Sequence, residues 1–223
     1  MKVVSGNWKE SRMANQTELS RSEKRHFEAK ERILKVAYQL FIVESKYEDV
    51  TIREIARQAD ISTGFFYLCF KNKTSIFAEL CRVHFEDAIK QLYENINTEK
   101  IGFNRLKVFV DFNTGIYFNR DGHRLNQLLK IVLPIDSDES AIQMLLHQID
   151  AMYDILTDIL IAGKNDGSIK YNEPPRKMAV LFFNSLQAFL QYTEGGTEKV
   201  RDSLFSGFEC KELIDSIINI YFK

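Results

Sequence analysis

The sequence predicts an all-α protein, with a small N-terminal three-helix domain followed by a larger helical bundle. Only 3 of the 223 residues are Pro and 10 are Gly, whereas 45% are hydrophobic, which argues against a turn-rich β-sandwich and against disorder. Apolar residues recur every three or four positions in several stretches, as in amphipathic helices. Residues 1–90 carry 16 Lys and Arg against 13 Asp and Glu, and residues 91–223 carry 14 against 18. An anionic partner is therefore expected to meet the N-terminal part.

Hydropathy and cysteine content indicate where the protein is located and whether it forms disulfides. No stretch approaches the roughly 20 consecutive apolar residues that span a bilayer, and the first thirty positions lack an apolar signal region, so a cytoplasmic protein without a membrane partner is expected. The three cysteines, Cys69, Cys81 and Cys210, lie in apolar helical patterns. They are predicted to be buried thiols outside any disulfide framework, with redox sensing as an alternative.

The N-terminal elements begin with a polar, aperiodic segment, residues 1–22, which is predicted to be a flexible tail. A first helix is predicted from Ser22 to Glu44. Its apolar residues fall on one face of a helix, and they are Ile33, Leu34, Ala37, Leu40 and Phe41.

Two short helices and a long one follow. The stretch Thr51-Ile52-Arg53-Glu54 has the form of a capping box, so a second helix is predicted to begin there. The apolar pattern breaks at Ala59-Asp60-Ile61, and Ser62 is suited to N-cap a third helix. Asn72 is suited to cap a fourth helix that extends to about Ile96.

Two short helices separated by about three residues are the sequence form of a helix-turn-helix. The stretch Ile33-Leu34-x-x-Ala37-x-x-Leu40-Phe41, then Tyr47-x-x-x-Thr51-Ile52-x-x-Ile55-Ala56-x-x-Ala59-x-Ile61-Ser62-x-Gly64-x-Phe66-Tyr67-x-x-Phe70-x-Asn72-Lys73, resembles the DNA-binding domain of the tetracycline-repressor (TetR) family. The resemblance implies a DNA-binding domain at residues 23–72, a connecting helix at 73–97, and a ligand-binding and dimerisation domain at 98–223.

The third helix and Arg53 carry the candidate base contacts. Gly64 has no side chain to hold the backbone away from DNA, and Thr63 and Phe65 project from the same exposed turns, so Thr63 and Phe65 are predicted to meet base edges. Arg53 is predicted to reach a guanine edge. A solvated surface charge is the alternative for Arg53.

Phosphate contacts are predicted for Thr51, Tyr67 and Lys73, which would set the register of the domain on the duplex. Packing in the core is the alternative for Tyr67. The complete predicted DNA-binding set is Thr51, Arg53, Ser62, Thr63, Gly64, Phe65, Tyr67, Lys71 and Lys73.

Four positions depart from the pattern of the resembled family. Lys46 stands where a helix-ending Gly is usual, which suggests a modified exit from the first helix. Asp60 stands where the turn often has Gly, and Asp tolerates the left-handed conformation. Phe65 replaces a common Thr or Ser, and Cys69 a common His or Tyr. The ring of Phe65 offers an apolar contact to a thymine methyl in place of a hydrogen bond.

The C-terminal part is predicted to form a helical bundle and a dimer interface. The predicted helices span 103–119, 123–133 (after a break at Asp121-Gly122 and with Pro134 as a stop), 136–162 (capped by Asp136), 175–192 (opened by Pro174-Pro175) and 211–222. The last two helices are apolar on more than one face, and in the resembled family they form a four-helix dimer interface. A homodimer would read a pseudo-palindromic site in double-stranded DNA.

Aromatic residues and methionines are frequent in the same region, a composition that suits a cavity for an apolar or amphipathic small molecule. The predicted ligand-binding residues are Phe109, Phe112, Tyr117, Met144, Met152, Phe182, Phe183 and Phe189. Asn113, Tyr153 and Gln187 are candidate polar anchors. Ordinary core packing is the alternative for each of these residues.

The sequence shows no phosphate loop, nucleophile motif or HExxH pattern, so no catalytic residue, metal site or cofactor is predicted. A transcriptional regulator that binds DNA and senses a ligand is the first hypothesis, and repression is the commoner role in the resembled family. A DNA-binding protein of this fold that senses no small molecule, or acts through a protein partner, is the second. An enzyme is the third, and it would need perturbed titratable groups that converge in a pocket.

Overall fold

A computed structural model describes residues 20–136, 139–195 and 210–222. These residues form helices and loops without a β-strand, which confirms the predicted all-α class. The helices are α1 (Arg21–Tyr38), α2 (Ile52–Gln58), α3 (Thr63–Cys69), α4 (Lys73–Ile96), α5 (Gly102–Phe118), α6 (Arg120–Asp136), α7 (Glu139–Asn165), α8 (Pro175–Gly195) and α9 (Cys210–Phe222). None of the described helices has both the length and the apolar character needed to cross a membrane. The predicted tail lies outside the described residues as far as position 19.

Helix α1 begins with a reciprocal capping box. Ser20 Oγ accepts the N–H of Glu23 at 3.3 Å, and the Glu23 carboxylate accepts the N–H of Ser20 at 2.9 Å. The helix therefore begins slightly earlier than the predicted Ser22. After Tyr38 it continues as a π-helical turn, Gln39–Val43, and Ser45 then adopts φ 55°. This exit confirms the modified helix end that was predicted from Lys46.

The chain divides into two compact units. The described part of the first comprises residues 20–87, 120–136 and 139–146. Its core contains the apolar faces of α1 to α4 together with Leu125 and Val132 of α6. Phe41, Phe66 and Phe77 are fully buried there, and burial of each such ring contributes about 1.5–3 kcal/mol. The division differs from the predicted domain boundary near residue 97, because α6 belongs with the N-terminal helices.

Two polar contacts hold α6 against the end of α1. Tyr38 Oη donates to Asp121 Oδ2 at 2.5 Å, and burial together with this hydrogen bond raises the pKa of Tyr38. The Arg124 guanidinium donates to the carbonyl oxygen of Ile42 at 2.6 Å and to that of Val43. Arg124 thus satisfies backbone acceptors that the end of the helix leaves open.

The break between α5 and α6 differs from the prediction. It falls at Asn119, which has an extended backbone with ψ 134°, and Asp121 and Gly122 lie in the first turn of α6. An acidic residue is favoured at a helix N-terminus, which explains why Asp121 begins a helix here. Helix α6 also continues through Pro134 to Asp136. Pro removes only one hydrogen bond so close to the helix end, so it does not stop the helix.

The described part of the second unit comprises residues 88–119, 147–195 and 210–222. Its core joins the end of α4 to α5, α7, α8 and α9. The N-terminus of α5 is capped from a distant loop: the N–H of Gly102 donates to Asp166 at 2.7 Å, and that of Phe103 donates to Ser168 at 3.0 Å. Hydrogen bonds from the Ser168 side chain, from the N–H of Gly102 and from the N–H of Ser168 lower the pKa of Asp166.

The remaining boundaries agree with the sequence except at α7. Asp136 ends α6 and does not cap α7, which begins at Glu139 and continues past the predicted Ala162 to Asn165. Pro175 opens α8, and α9 covers the predicted terminal helix. The stretch predicted to be looser, after Gly195-Gly196, lies at positions 196–209, outside the described residues.

Candidate nucleic-acid interface

The turn between α2 and α3 is built by local interactions. Asp60 adopts φ 53°, which confirms the predicted left-handed residue, and the N–H of Ile61 donates to the carbonyl of Ala56 at 3.0 Å. Ser62 Oγ then accepts the N–H of Phe65 at 3.1 Å, so α3 begins where the sequence predicts.

Helix α2 begins with half of the predicted capping box. Thr51 Oγ1 accepts the N–H of Glu54 at 3.2 Å, whereas the Glu54 carboxylate accepts the side-chain amide of Gln58 at 3.3 Å. The Thr51 oxygen accepts in the cap, and a hydroxyl that accepts keeps its O–H as a donor. Thr51 is exposed, as is Arg53 in the first turn of α2. Both can be reached from outside the protein.

One face of α3 is open to solvent. Phe66 is fully buried and fastens the helix to the core, while Tyr67 is 56% and Leu68 69% exposed. Thr63 and Gly64 are also exposed, and the flanking Ser62 and Lys71 are exposed as well. Leu68 was absent from the predicted contacts. Its position opposite the buried rings in a 3.6-residue period was the signal that could have found it.

Gly64 occupies its position without any steric reason inside the protein. A Cβ built on it would meet Ser62 Oγ at 4.0 Å and no closer atom, and its φ is not positive. The fold therefore tolerates a side chain at this point, and glycine leaves the backbone of this exposed turn open to a close approach from outside the protein.

Lys73 has a structural role that the sequence did not indicate. Its ammonium donates to the carbonyl oxygens of Tyr47 (2.5 Å), Glu48 (3.2 Å) and Val50 (3.1 Å), and it lies 4.7 Å from the centroid of the Tyr47 ring. Burial lowers the pKa of Lys73, against the effect of the nearby Glu48 and Asp49 carboxylates. An ammonium has three N–H groups, and all three are engaged, so the predicted phosphate contact has no free donor in this arrangement.

Phe65 and Cys69 lie on the side of α3 that faces α1. Phe65 is half-buried, with its ring centroid 6.2 Å from that of His26. Cys69 Sγ lies 3.9 Å from His26 Nδ1, and burial raises the pKa of the Cys69 thiol. Cys69 and Cys81 are free thiols, and Cys81 is buried as predicted, whereas Cys69 is only half-buried. A raised thiol pKa reduces the reactive thiolate fraction, which disfavours redox sensing at Cys69.

Met144 lies in the first unit, and the other seven predicted ligand-binding residues lie in the second unit. Phe109, Phe112, Tyr117, Met152, Phe182 and Phe183 are buried in its core, Phe189 is half-buried against it, and the side chain of Met144 is outside the described residues. The rings of Phe109 and Phe183 meet edge to face at 5.7 Å. Such contacts are typical of a packed core. A ligand bound here would have to contact the same rings.

Two of the three candidate polar anchors, Asn113 and Gln187, are connected across α5 and α8, whereas the Tyr153 hydroxyl accepts the Asn184 side-chain amide at 2.9 Å. Asn113 is buried and donates to the carbonyl of Phe109 at 2.8 Å, and Gln187 donates to Asn113 at 3.4 Å. Tyr117 Oη in turn donates to Gln187 Oε1 at 2.6 Å. Thr114 Oγ1 is buried without a hydrogen-bond partner among the described residues. An unpartnered buried hydroxyl is unusual in a folded core.

Comparison with known proteins identifies the domain that carries the exposed face of α3. Residues 33–80 match the family described as bacterial regulatory proteins, tetR family. The N-terminal domain of the chain thus matches the TetR family. An uncharacterized HTH-type transcriptional regulator, YerO of Bacillus subtilis (strain 168), is 35% identical over 75 residues, which are 34% of this chain and 25% of YerO. The match therefore spans only about a quarter of that relative.

Solved structures of other transcriptional regulators share the fold over most of the chain. The transcriptional regulator FadR from Bacillus subtilis, in complex with stearoyl-CoA, has a TM-score of 0.62 and 20% identity, with 85% of this chain and 96% of FadR covered. A putative transcriptional regulator from Saccharomonospora viridis, in complex with choline, has a TM-score of 0.68 and 17% identity, with 87% and 97% covered. These likenesses establish the fold.

Proposed function

We propose that this chain, whose residues 33–80 match the TetR family, is a sequence-specific DNA-binding transcriptional regulator that acts as a repressor and uses the exposed face of α3 as its recognition surface. The observation that carries the proposal is Gly64, a glycine on the open face of a helix-turn-helix whose neighbours within the chain leave room for a side chain. A recognition helix in a major groove brings its first turns close to base edges and phosphates. Glycine is required there only if the duplex comes that close.

We assign the other residues of the proposed contact surface from the exposure of their side chains. Thr63 and Leu68 flank Gly64 and are placed to meet base edges, and Arg53 can reach a guanine edge from α2. Exposed side chains placed to hold phosphates are Thr51, Ser62, Tyr67 and Lys71. Lys73 is left out because its ammonium is committed to three carbonyl groups.

The Gly64→Ala variant tests this function. We expect it to keep or slightly raise the melting temperature, because Ala is favoured over Gly in a helix by up to about 1 kcal/mol. Its affinity for an operator selected from random duplexes is expected to fall about 10- to 100-fold, because a methyl group would intrude on the protein–DNA contact. Gly115→Ala is the matched control, since its Cβ also meets nothing within 4 Å but lies in the other unit. Unchanged operator affinity in Gly64→Ala would refute the assignment.

We further propose that an apolar or amphipathic molecule bound among the aromatic residues of the second unit controls DNA binding. Two features support this: a core rich in Phe, and the unpartnered hydroxyl of Thr114 one residue from the buried Asn113. The similar structures hold ligands as different as stearoyl-CoA and choline, so the fold alone does not fix the ligand. Helix α4 has residues in both units and provides a continuous covalent path between them.

A ligand screen tests this control. Lipophilic compounds of graded chain length are expected to raise the melting temperature, and a compound with 100-fold preference for the DNA-free state would shift the equilibrium by about 2.7 kcal/mol. Thr114→Val is expected to fold normally and to respond less to compounds with a polar end, because it removes a hydroxyl that has no internal partner. If no compound alters either melting temperature or operator affinity, the alternative of a regulator without a small-molecule ligand is preferred.

A further inference from the structure

The surroundings of Phe65 differ from those expected of a residue that reads bases. The guanidinium carbon of Arg25 lies 5.6 Å from the Phe65 ring centroid, and the His26 ring lies 6.2 Å from it. Both neighbours come from the second turn of α1. The half-buried ring is therefore flanked by α1, and the charge beside it comes from outside the helix-turn-helix.

Helix geometry places this charge next to the exposed face of α3. Successive residues of a helix are about 100° apart, so Gly64, Tyr67 and Leu68 share one side and Phe65 lies at its edge. Arg25 is itself exposed, and Arg21, one turn earlier on α1, is exposed on the same side of that helix. Two arginines thus extend the open face of α3 towards the start of α1.

We propose that Arg25 contacts a DNA phosphate and that Phe65 is the residue that positions it. A guanidinium stacked on a ring uses its flat face for the cation–π contact and keeps its N–H donors, in the plane, for an anion. The stack also restricts a long flexible side chain before it binds, which lowers the entropy lost on contact. A hydroxyl, which is common at this position in the family, could contact DNA directly. The ring of Phe65 instead positions Arg25 for its contact with the phosphate.

This inference rests on the proposed DNA-binding function, and a double-mutant cycle on the full-length protein tests it. We titrate three variants with the selected operator and with random duplex: Arg25→Ala, Phe65→Ala and the double variant. The salt concentration is varied from about 50 to about 200 mM, a range over which phosphate contacts change the affinity strongly. Arg25→Ala is expected to weaken binding to both duplexes about tenfold and to reduce the salt slope by about one. Phe65→Ala is expected to reproduce most of this loss, and the double variant to be no more than about twofold weaker than Arg25→Ala.

Control variants separate positioning from folding. Phe65→Tyr keeps the ring and is expected to retain the wild-type salt slope. Lys107→Ala removes a cation that also lies over a ring, 5.0 Å from the centroid of Phe103 in the second unit and outside α8 and α9, and is expected to leave DNA binding unchanged. Each variant is accepted only if its thermal unfolding matches that of the wild type.

Two outcomes would overturn the inference while leaving the proposed function intact. An unchanged salt slope in Arg25→Ala would show that Arg25 touches no phosphate. Losses that multiply in the double variant, with an altered sequence preference in Phe65→Ala, would show that Phe65 reads bases itself. Failure of the proposed function has a different signature, because the wild type would then select no operator, and this result would overturn both.

Discussion

Replacing Gly102 with Ala is expected to destabilise the second unit by about 3 kcal/mol or more. A Cβ at this position would lie 2.2 Å from the Cα and 2.3 Å from the backbone nitrogen of Gly163, where α5 begins against α7. Backbone atoms cannot rotate away, so the start of α5 would have to shift. Such a shift would also strain the hydrogen bonds from Gly102 and Phe103 to their caps, Asp166 and Ser168. Urea unfolding of the full-length protein, followed by circular dichroism, measures the effect.

Gly115→Ala is the control on the same helix. No atom lies within 4 Å of its Cβ, so this variant is expected to gain about 0.5–1 kcal/mol from the better helix propensity of Ala. The two glycines thus predict changes of opposite sign. Equal stability of Gly102→Ala and the wild type would contradict the close approach of α5 and α7.

Negative charges introduced on α8 and α9, the helices predicted to form the dimer interface, are expected to dissociate the dimer. Leu181 of α8 is 45% exposed and Ile220 of α9 is 80% exposed, and a subunit interface over α8 and α9 would cover both. The variant Leu181→Glu/Ile220→Glu would bury two carboxylates in that interface, so it is expected to be a monomer at micromolar concentration. Its operator affinity is expected to fall about 10²- to 10⁴-fold, because the two half-sites would no longer be bound together.

Light scattering and DNA titration of the same preparation test this prediction. Ile101→Glu is the control, since Ile101 is 50% exposed in the same unit but lies outside α8 and α9. It is expected to remain dimeric and to bind DNA as the wild type does. A double-Glu variant that stays dimeric would place the interface elsewhere.

Local signals in the sequence account for the parts of the fold that could be predicted. Ser62 and Asn72 have side chains that bond to backbone N–H groups three residues later, so their caps are visible in four consecutive letters. Asp60 was expected to tolerate the left-handed turn, and Pro175 to open a helix, for equally local reasons. The capping box of Ser20 and Glu23 is an equally local pattern. It lies before the stretch that resembles the family, and the prediction placed Ser20 in the tail.

Contacts between distant residues account for the parts that could not be predicted. Asp166 caps α5 from 64 positions away, and Arg124 donates to carbonyl groups about 80 positions earlier in the chain. Neither spacing leaves a periodic pattern in the sequence. The carbonyl partners of Lys73 are of the same kind, which is why a lysine that suits a phosphate contact proves to hold the Tyr47–Val50 loop.

The exposed face of α3 could be predicted because the positions within one helix are periodic. The exposed face of α3 follows from the buried Phe66 and the helical period, so Thr63, Gly64 and Tyr67 could be placed on it from the sequence. The half-burial of Phe65 could not, because it depends on Arg25 and His26 of α1. Contact within one helix is periodic, whereas contact between helices depends on the packing of the whole domain.

A hydroxyl-radical footprint of the wild-type protein on its selected operator tests the central claim most directly. A dimer that reads DNA with one α3 helix per subunit is expected to protect two symmetric patches on one side of the duplex, separated by one helical turn of about 34–36 Å or a multiple of it. The protection should disappear in the Leu181→Glu/Ile220→Glu variant and weaken in Gly64→Ala. A single patch, or uniform protection without a preferred sequence, would contradict the account.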